Sequence, residues 1–66
     1  MDITLNGHTH EAADDATVAE LLAQLELRPR LVAVEVNRQL VPRGDHAACH
    51  LHPGDELEIV TLVGGG

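Results

Sequence analysis

Residues 17–25 read TVAELLAQL, and this stretch decides the fold because it carries the clearest helical period in the chain. Its bulky apolar residues fall at i, i+3, i+4 and i+7, from Val18 to Leu25, and therefore line one face of a helix. Thr17 and Glu20 have the spacing of a capping box, which marks a helix start. Pro29 disfavours helix at the residue before it. The sequence predicts one helix over about residues 17–26.

Segments typical of β-strands flank this helix on both sides. Asn6-Gly7 favours a two-residue hairpin turn, and residues 52–55 (HPGD) suit a type II turn. We interpret residues 43–50 as a loop or a single helical turn. The predicted strands are residues 2–5, 8–12, 31–36, 39–41 and 56 to about 63.

The order of these elements indicates the architecture. A single helix can cover one face of one sheet. A right-handed crossover makes the third strand parallel to the second, and the last strand, the most apolar, belongs in the centre beside the first. This predicts an α+β, ubiquitin-like β-grasp domain over residues 1–63, with a mixed four- to five-stranded sheet packed on one helix. The predicted core is Ile3, Leu5, Val18, Leu21, Leu22, Leu25, Val34, Val36, Leu57 and Ile59.

The amino-acid composition disfavours several classes of protein. The formal net charge is −7, and the chain contains neither lysine nor any aromatic residue except histidine. Nucleic-acid binders need phosphate-neutralising and stacking side chains, so that class is disfavoured. No apolar run approaches a membrane span, and the single cysteine fits a reducing compartment. We expect a cytoplasmic protein that is monomeric when free.

The C-terminal end offers the most informative functional feature. Gly64, Gly65 and Gly66 form a tail without side chains, which can thread a narrow channel and present a terminal carboxylate. Extended, residues 62–66 reach about 16–18 Å. Strand alternation exposes Val60 and Leu62, which together with Val63 form a candidate docking surface. The alternatives are a frayed terminus and an ordinary surface patch.

Histidine and cysteine residues invite a metal interpretation. His46, Cys49, His50 and His52 lie close together in sequence, but their spacing matches no standard zinc pattern. Cys49 lacks a recognisable base partner, so we interpret it as a buried or idle thiol. We predict neither a metal site nor a catalytic residue.

Six short motifs follow one another along nearly the whole chain: LNG at 5–7, TVAELL at 17–22, VAVEVN at 32–37, LVPR at 40–43, GDELEIV at 54–60 and VGGG at 63–66. Together they resemble the ThiS family, the sulfur carriers of thiamine biosynthesis. Arg38 departs from the family pattern, since such proteins often carry a smaller residue at that turn position.

The resemblance implies a protein cosubstrate that is not an enzyme. A ThiF-type adenylating enzyme would use ATP and magnesium to activate the Gly66 carboxylate, so this chain itself would bind no cofactor. A cysteine desulfurase or another donor would then supply sulfur, giving a Gly66 thiocarboxylate. Thiazole synthase would take that sulfur into the thiazole ring.

Three other functions remain open from the sequence. One is a sulfur carrier for molybdopterin or another acceptor. Another is a ubiquitin-like modifier that joins Gly66 to lysines of target proteins. The third is a non-covalent interaction domain that uses Val60 and Leu62 and has no use for the tail.

Overall fold

The computed structural model describes residues 1–62. Val63 and Gly64–Gly66 lie outside the described residues, so the domain limit at residue 63 and the glycine tail stay predictions. The strands are β1 (Asp2–Leu5), β2 (His8–Glu11), β3 (Val32–Val36), β4 (Gln39–Val41) and β5 (Glu56–Thr61), and the helix is α1 (Val18–Gln24). Two short 3-10 helices cover Pro29–Leu31 and Arg43–Ala48.

The strands form one five-stranded mixed sheet in the order β2-β1-β5-β3-β4. β5 runs parallel to β1 and antiparallel to β3, so the last strand lies centrally beside the first, as predicted. Because β2 is antiparallel to β1, β3 and β2 point the same way, which confirms the predicted direction of the third strand. The arrangement is the ubiquitin-like β-grasp.

Helix α1 begins as the sequence predicts but ends earlier. Thr17 Oγ1 accepts the Glu20 N–H at 3.1 Å, and Glu20 Oε1 accepts the Thr17 N–H at 2.8 Å, which completes the capping box. The last helical residue is Gln24, so the predicted end at residue 26 is wrong. Glu26 adopts a left-handed φ of 58°, and the Leu27 N–H bonds the Leu22 carbonyl at 2.9 Å. This Schellman motif, and not Pro29, ends the helix. Across residues 1–62, no helix has both the length and the hydropathy needed to cross a membrane.

The core between α1 and the sheet is aliphatic, as predicted. Six of the predicted members are buried: Ile3, Val18, Leu21, Leu22, Val34 and Leu57. The other four, Leu5, Leu25, Val36 and Ile59, are only partly buried and pack at its margin. Three further apolar residues, Ala12, Val32 and Leu51, complete the core.

The segment between β4 and β5 is more ordered than a loop. Arg43–Ala48 forms a 3-10 helix that buries His46, whose Nε2 lies 3.2 Å from the Val41 carbonyl oxygen. The chain then passes the start of α1, where the Leu51 N–H bonds the Ala16 carbonyl at 2.8 Å. At residues 52–55, Gly54 has a φ of 85° and the Asp55 N–H bonds the His52 carbonyl, as the predicted type II turn requires.

Candidate functional site: the end of strand β5 and the outer face of the sheet

Strand β5 positions the C-terminal end of the chain, and it is held on both edges. On one edge it pairs with β3 over five consecutive residue pairs, from Val36↔Leu57 to Val32↔Thr61. On the other edge it pairs with β1 only at Glu56 and Leu57. A central strand bonded on both sides is a rigid base for whatever follows it.

The last described residue remains attached to the fold. The Leu62 N–H donates to the Leu31 carbonyl at 2.7 Å, which extends the pairing one residue beyond β5. Leu62 is 55% exposed and Leu31 is 46% exposed, so apolar side chains are exposed at the last described residue and at its pairing partner. The candidate site residues Gly64, Gly65 and Gly66, and Val63 of the candidate docking surface, lie outside the described residues.

The sheet turns one face toward α1 and leaves the opposite face, here called the outer face, open to solvent. Val60 lies on it at 56% exposure, directly opposite Ala33 of β3. Leu40 of β4, 64% exposed, lies on the same face opposite Glu35. The exposure of Val60 agrees with the predicted alternation.

Ala33 and Leu40 are members of this face that the sequence analysis did not assign to it. The alternation of VAVEV already indicates that Ala33 points away from the core. Only the strand order shows that Ala33 lies beside Val60, because β3 and β5 are distant in sequence. The outer face therefore combines side chains from three strands.

Acidic side chains border the apolar part of the outer face. Glu35 lies directly opposite Glu58 in the β3–β5 register, an arrangement of like charges that weakens strand pairing. Both glutamates line an open depression of about 430 Å³, together with Glu56 and Arg38. Arg38 is the only cation among the residues that line it. The face therefore offers an apolar patch next to a negatively charged one.

The histidines have separate structural environments. His50 Nδ1 lies 3.1 Å from Asp15 Oδ1, and His52 Nδ1 lies 3.9 Å from Asp55 Oδ2. His46 is buried, and its Nδ1 has no hydrogen-bond partner within the described chain. Within residues 1–62, no three His, Cys, Asp or Glu side chains form a group that could hold a metal ion.

Cys49 lies partly buried next to this segment. Burial raises the pKa of its thiol, and the negative charges of Asp55 and then Asp45 raise it further. The thiolate is the reactive form of cysteine, so a raised pKa makes the group a weak nucleophile at neutral pH. This agrees with the interpretation of Cys49 as an idle thiol.

Comparison with known proteins gives this geometry a context. The chain is 39% identical over its full length to a thiazole synthase of Paramagnetospirillum magneticum, of which it spans only 20%. It is 35% identical to the sulfur carrier protein ThiS of Escherichia coli, with both chains fully covered. A crystal structure of the thiamine biosynthesis protein ThiS from Geobacter metallireducens matches with a TM-score of 0.86 at 32% identity, again over the whole of both chains.

The model of the ThiS family matches residues 3–66, which is all of the chain except its first two residues. The match includes the C-terminal glycines that follow β5. This chain therefore belongs to the ThiS family, whose members are small sulfur carrier proteins and not catalysts.

Proposed function

We propose that this chain carries sulfur for thiazole formation in thiamine biosynthesis as a thiocarboxylate at Gly66. The observation that carries the proposal is the pairing of β5 with β3 up to Leu62, four residues before the terminal Gly66. A rigid domain followed by residues without side chains suits delivery of a terminal group into enclosed active sites. The family membership of the chain supports the same function.

The chemistry follows from the poor reactivity of a carboxylate. A ThiF-type enzyme transfers AMP from ATP to the Gly66 carboxylate, and pyrophosphate leaves. The terminal sulfur of a persulfide, supplied by a cysteine desulfurase or another donor, then attacks the Gly66 carbonyl and displaces AMP. A thiol reduces the resulting acyl disulfide, which releases the thiocarboxylate.

ATP and magnesium belong to the activating enzyme in this scheme. The chain contributes the Gly66 carboxylate and the surface that the enzyme recognises. The reducing conditions that the thiol step needs are those of the cytoplasm, where we place the reaction.

The outer face supplies the docking surface. Val60 and Leu62 are both more than half exposed, and in sequence they come shortly before the glycines, with Val63 between Leu62 and Gly64. Glu35 and Glu58 border them, so a partner with an apolar patch beside basic side chains fits this face. Docking here would leave the tail free to enter the partner.

Thiazole synthase is the proposed acceptor of the sulfur. The supporting observation is that the relative from Paramagnetospirillum magneticum bears that name and aligns with this whole chain over 20% of its length. No comparable observation favours molybdopterin, a protein modifier or a purely non-covalent module.

Intact mass spectrometry tests the proposal. The chain is incubated with a ThiF-type enzyme, ATP, magnesium, a cysteine desulfurase, cysteine and a thiol reductant. Replacement of oxygen by sulfur at Gly66 adds about 16 Da, nearly the same as a single oxidation of Met1 or Cys49. Trypsin cleavage after Arg43 removes Met1 from the C-terminal peptide, and a C49S background removes the thiol.

The matched control is the same chain without Gly66. We expect the mass gain in peptide 44–66 of the full chain and none in the shortened one. Equal gains in both chains, or no gain with an enzyme that activates its own carrier, would contradict the proposal.

A further inference from the structure

The two edges of β5 end at different places. On the β3 side, backbone pairing continues to Thr61 and then to Leu62. On the β1 side, the last backbone bond runs from the Asn6 N–H to the Leu57 carbonyl at 2.9 Å, after which the chain turns away. Within residues 1–62, the backbone N–H and carbonyl of Ile59 therefore have no backbone partner on the β1 side.

The side chain of Asn6 takes the place of that backbone partner. Asn6 Oδ1 accepts the Ile59 N–H at 2.8 Å, and Asn6 Nδ2 donates to the Ile59 carbonyl at 3.2 Å. A side-chain amide offers the same donor and acceptor as a peptide group, so it can act as one more rung of the β1–β5 ladder. This rung joins residues 53 positions apart in sequence.

We propose that Asn6 is a positioning residue for sulfur transfer, because its amide keeps the tail-bearing end of β5 ordered before a partner arrives. The inference rests on the proposed function. Ile59 directly precedes Val60, the first exposed apolar residue of the docking surface. Without these two hydrogen bonds, the β1-side edge of β5 is unpaired at Ile59, and the end of the strand is ordered in only a fraction of the molecules. A partner binds only that ordered fraction. The apparent affinity falls by the fraction of molecules in that form.

The chain contains a matched control at the opposite end of the strand. Asn37 Oδ1 accepts the Glu56 N–H at 3.0 Å, where β5 begins, and Asn37 Nδ2 donates to Asp55 Oδ1 at 3.1 Å. Asn6 and Asn37 have the same φ of 51°, and each is the first residue of a two-residue turn. Loss of the Asn37 side chain therefore removes two hydrogen bonds, as loss of Asn6 does, but leaves the tail-bearing end attached.

The experiment compares Asn6→Gly with Asn37→Gly. Glycine accepts the positive φ at both sites, so each variant removes the side chain without straining the turn. Amide hydrogen exchange reports the local effect, and steady-state adenylation by a ThiF-type enzyme gives KM and kcat for the carrier. If either glycine variant fails to fold, Asn6→Asp and Asn37→Asp replace the pair, because aspartate keeps an acceptor oxygen and loses the amide donor. They are compared at about 1 M salt, which screens the repulsion between Asp55 and the new carboxylate at position 37.

We expect Asn6→Gly to remove most of the exchange protection of the Ile59 amide, because a fivefold loss of affinity requires the ordered form to fall to about one fifth of the molecules. Its KM should rise by about fivefold or more with kcat within about twofold of wild type, since the partner reorders the strand once bound. Asn37→Gly should lower Tm comparably and leave KM unchanged. A purely structural role of Asn6 would change Tm without changing KM.

Three results would overturn the inference while the proposed function stands. They are an unchanged KM in Asn6→Gly, unchanged protection of Ile59, and equal KM increases in both variants. Failure of the wild-type chain to react with an enzyme that activates its own carrier would instead remove the proposed function, and this inference with it.

Discussion

The molecule contains two hairpin turns with similar backbones, and they differ at their second residue. Asn6-Gly7 joins β1 to β2, and Asn37-Arg38 joins β3 to β4. The first residues share a φ of 51°, and the second residues have φ values of 82° at Gly7 and 69° at Arg38. Only glycine adopts this region without a steric cost. The first turn therefore avoids a strain that the second turn retains.

The surroundings of the two turns give a reason for the difference. Gly7 and Arg38 both line the depression on the outer face, where Glu35, Glu56 and Glu58 gather negative charge. A guanidinium among these carboxylates reduces their mutual repulsion, which offsets part of the backbone cost. Gly7 therefore allows the first turn to form without strain. Arg38 strains the second turn but supplies a positive charge to the surface that we propose as a docking site.

The largest expected effect comes from placing strain in the first turn. Gly7→Ala should lower the free energy of unfolding by about 1–2 kcal/mol, because alanine at this φ is strained. A Cβ at Gly7 meets no atom within 4 Å, so the loss is one of backbone conformation and not of packing. Thermal unfolding should show a Tm lower by about 7–14 °C.

Gly44→Ala is the control for that measurement. Gly44 also has open space around its Cβ position, but its φ is not in the left-handed region. We expect no loss of stability there. Similar losses in the two alanine variants would show that φ is not what distinguishes Gly7.

A smaller effect of opposite sign is expected at Glu26, a third left-handed position. Glu26 has a φ of 58° in the Schellman motif after α1, where glycine is the usual residue. Glu26→Gly should raise the free energy of unfolding by about 1 kcal/mol. Chemical denaturation measures the gain, and Glu26→Gln separates it from removal of a negative charge near a helix C-terminus. An equal gain in Glu26→Gln would assign the effect to charge.

Arg38→Gly tests directly whether the charge of Arg38 compensates for the strain of the second turn. It relieves the same kind of strain as Glu26→Gly but removes the cation of the outer-face depression. We expect a gain of only about 0.5 kcal/mol at low salt, because the carboxylates then repel one another more strongly. At about 1 M salt, screening should bring this gain close to that of Glu26→Gly. A gain that does not depend on salt would mean that Arg38 does not compensate these charges.

Local sequence patterns predict where the helix and strands of this fold lie better than they predict which residues contact one another across the fold. The limits of β1 and β4 match the prediction, since alternation and turn residues depend on immediate neighbours. The helix end was wrong because Glu26, a residue that seldom adopts a left-handed φ, forms the Schellman motif. Leu51 was missed because its burial depends on the pairing of its segment with the residues before α1.

The candidate site shows the same limit. Alternation along β5 indicates that Val60 is exposed, but Ala33 and Leu40 join it only through the strand order. The role of the Asn6 side chain depends on a strand 53 positions away, and a turn signal alone says nothing about that contact. The chemistry that we propose at Gly66 rests on the family resemblance, because residues 63–66 lie outside the described part of the structure.

The smallest expected effect concerns Glu35 and Glu58, which line the same depression as Arg38. Glu35 and Glu58 lie directly opposite each other on β3 and β5, so Glu58→Gln should stabilise the free protein by about 0.2–0.5 kcal/mol. A double-mutant cycle with Glu35→Gln isolates the pair, since the gain from either change should largely vanish when the other is already present. The coupling should also shrink in high salt.

The same variants test whether the repulsion has a function. If a basic partner docks on the outer face, Glu58→Gln should weaken activation by the ThiF-type enzyme while it strengthens the fold. We expect a KM increase of about two- to fivefold that diminishes as salt rises. A simultaneous rise in stability and KM cannot arise from a merely loosened sheet, because loosening would lower stability while it raises KM. An unchanged KM would instead mean that the repulsion between Glu35 and Glu58 destabilises the sheet without contributing to docking. Arg38 would then serve only to reduce that repulsion.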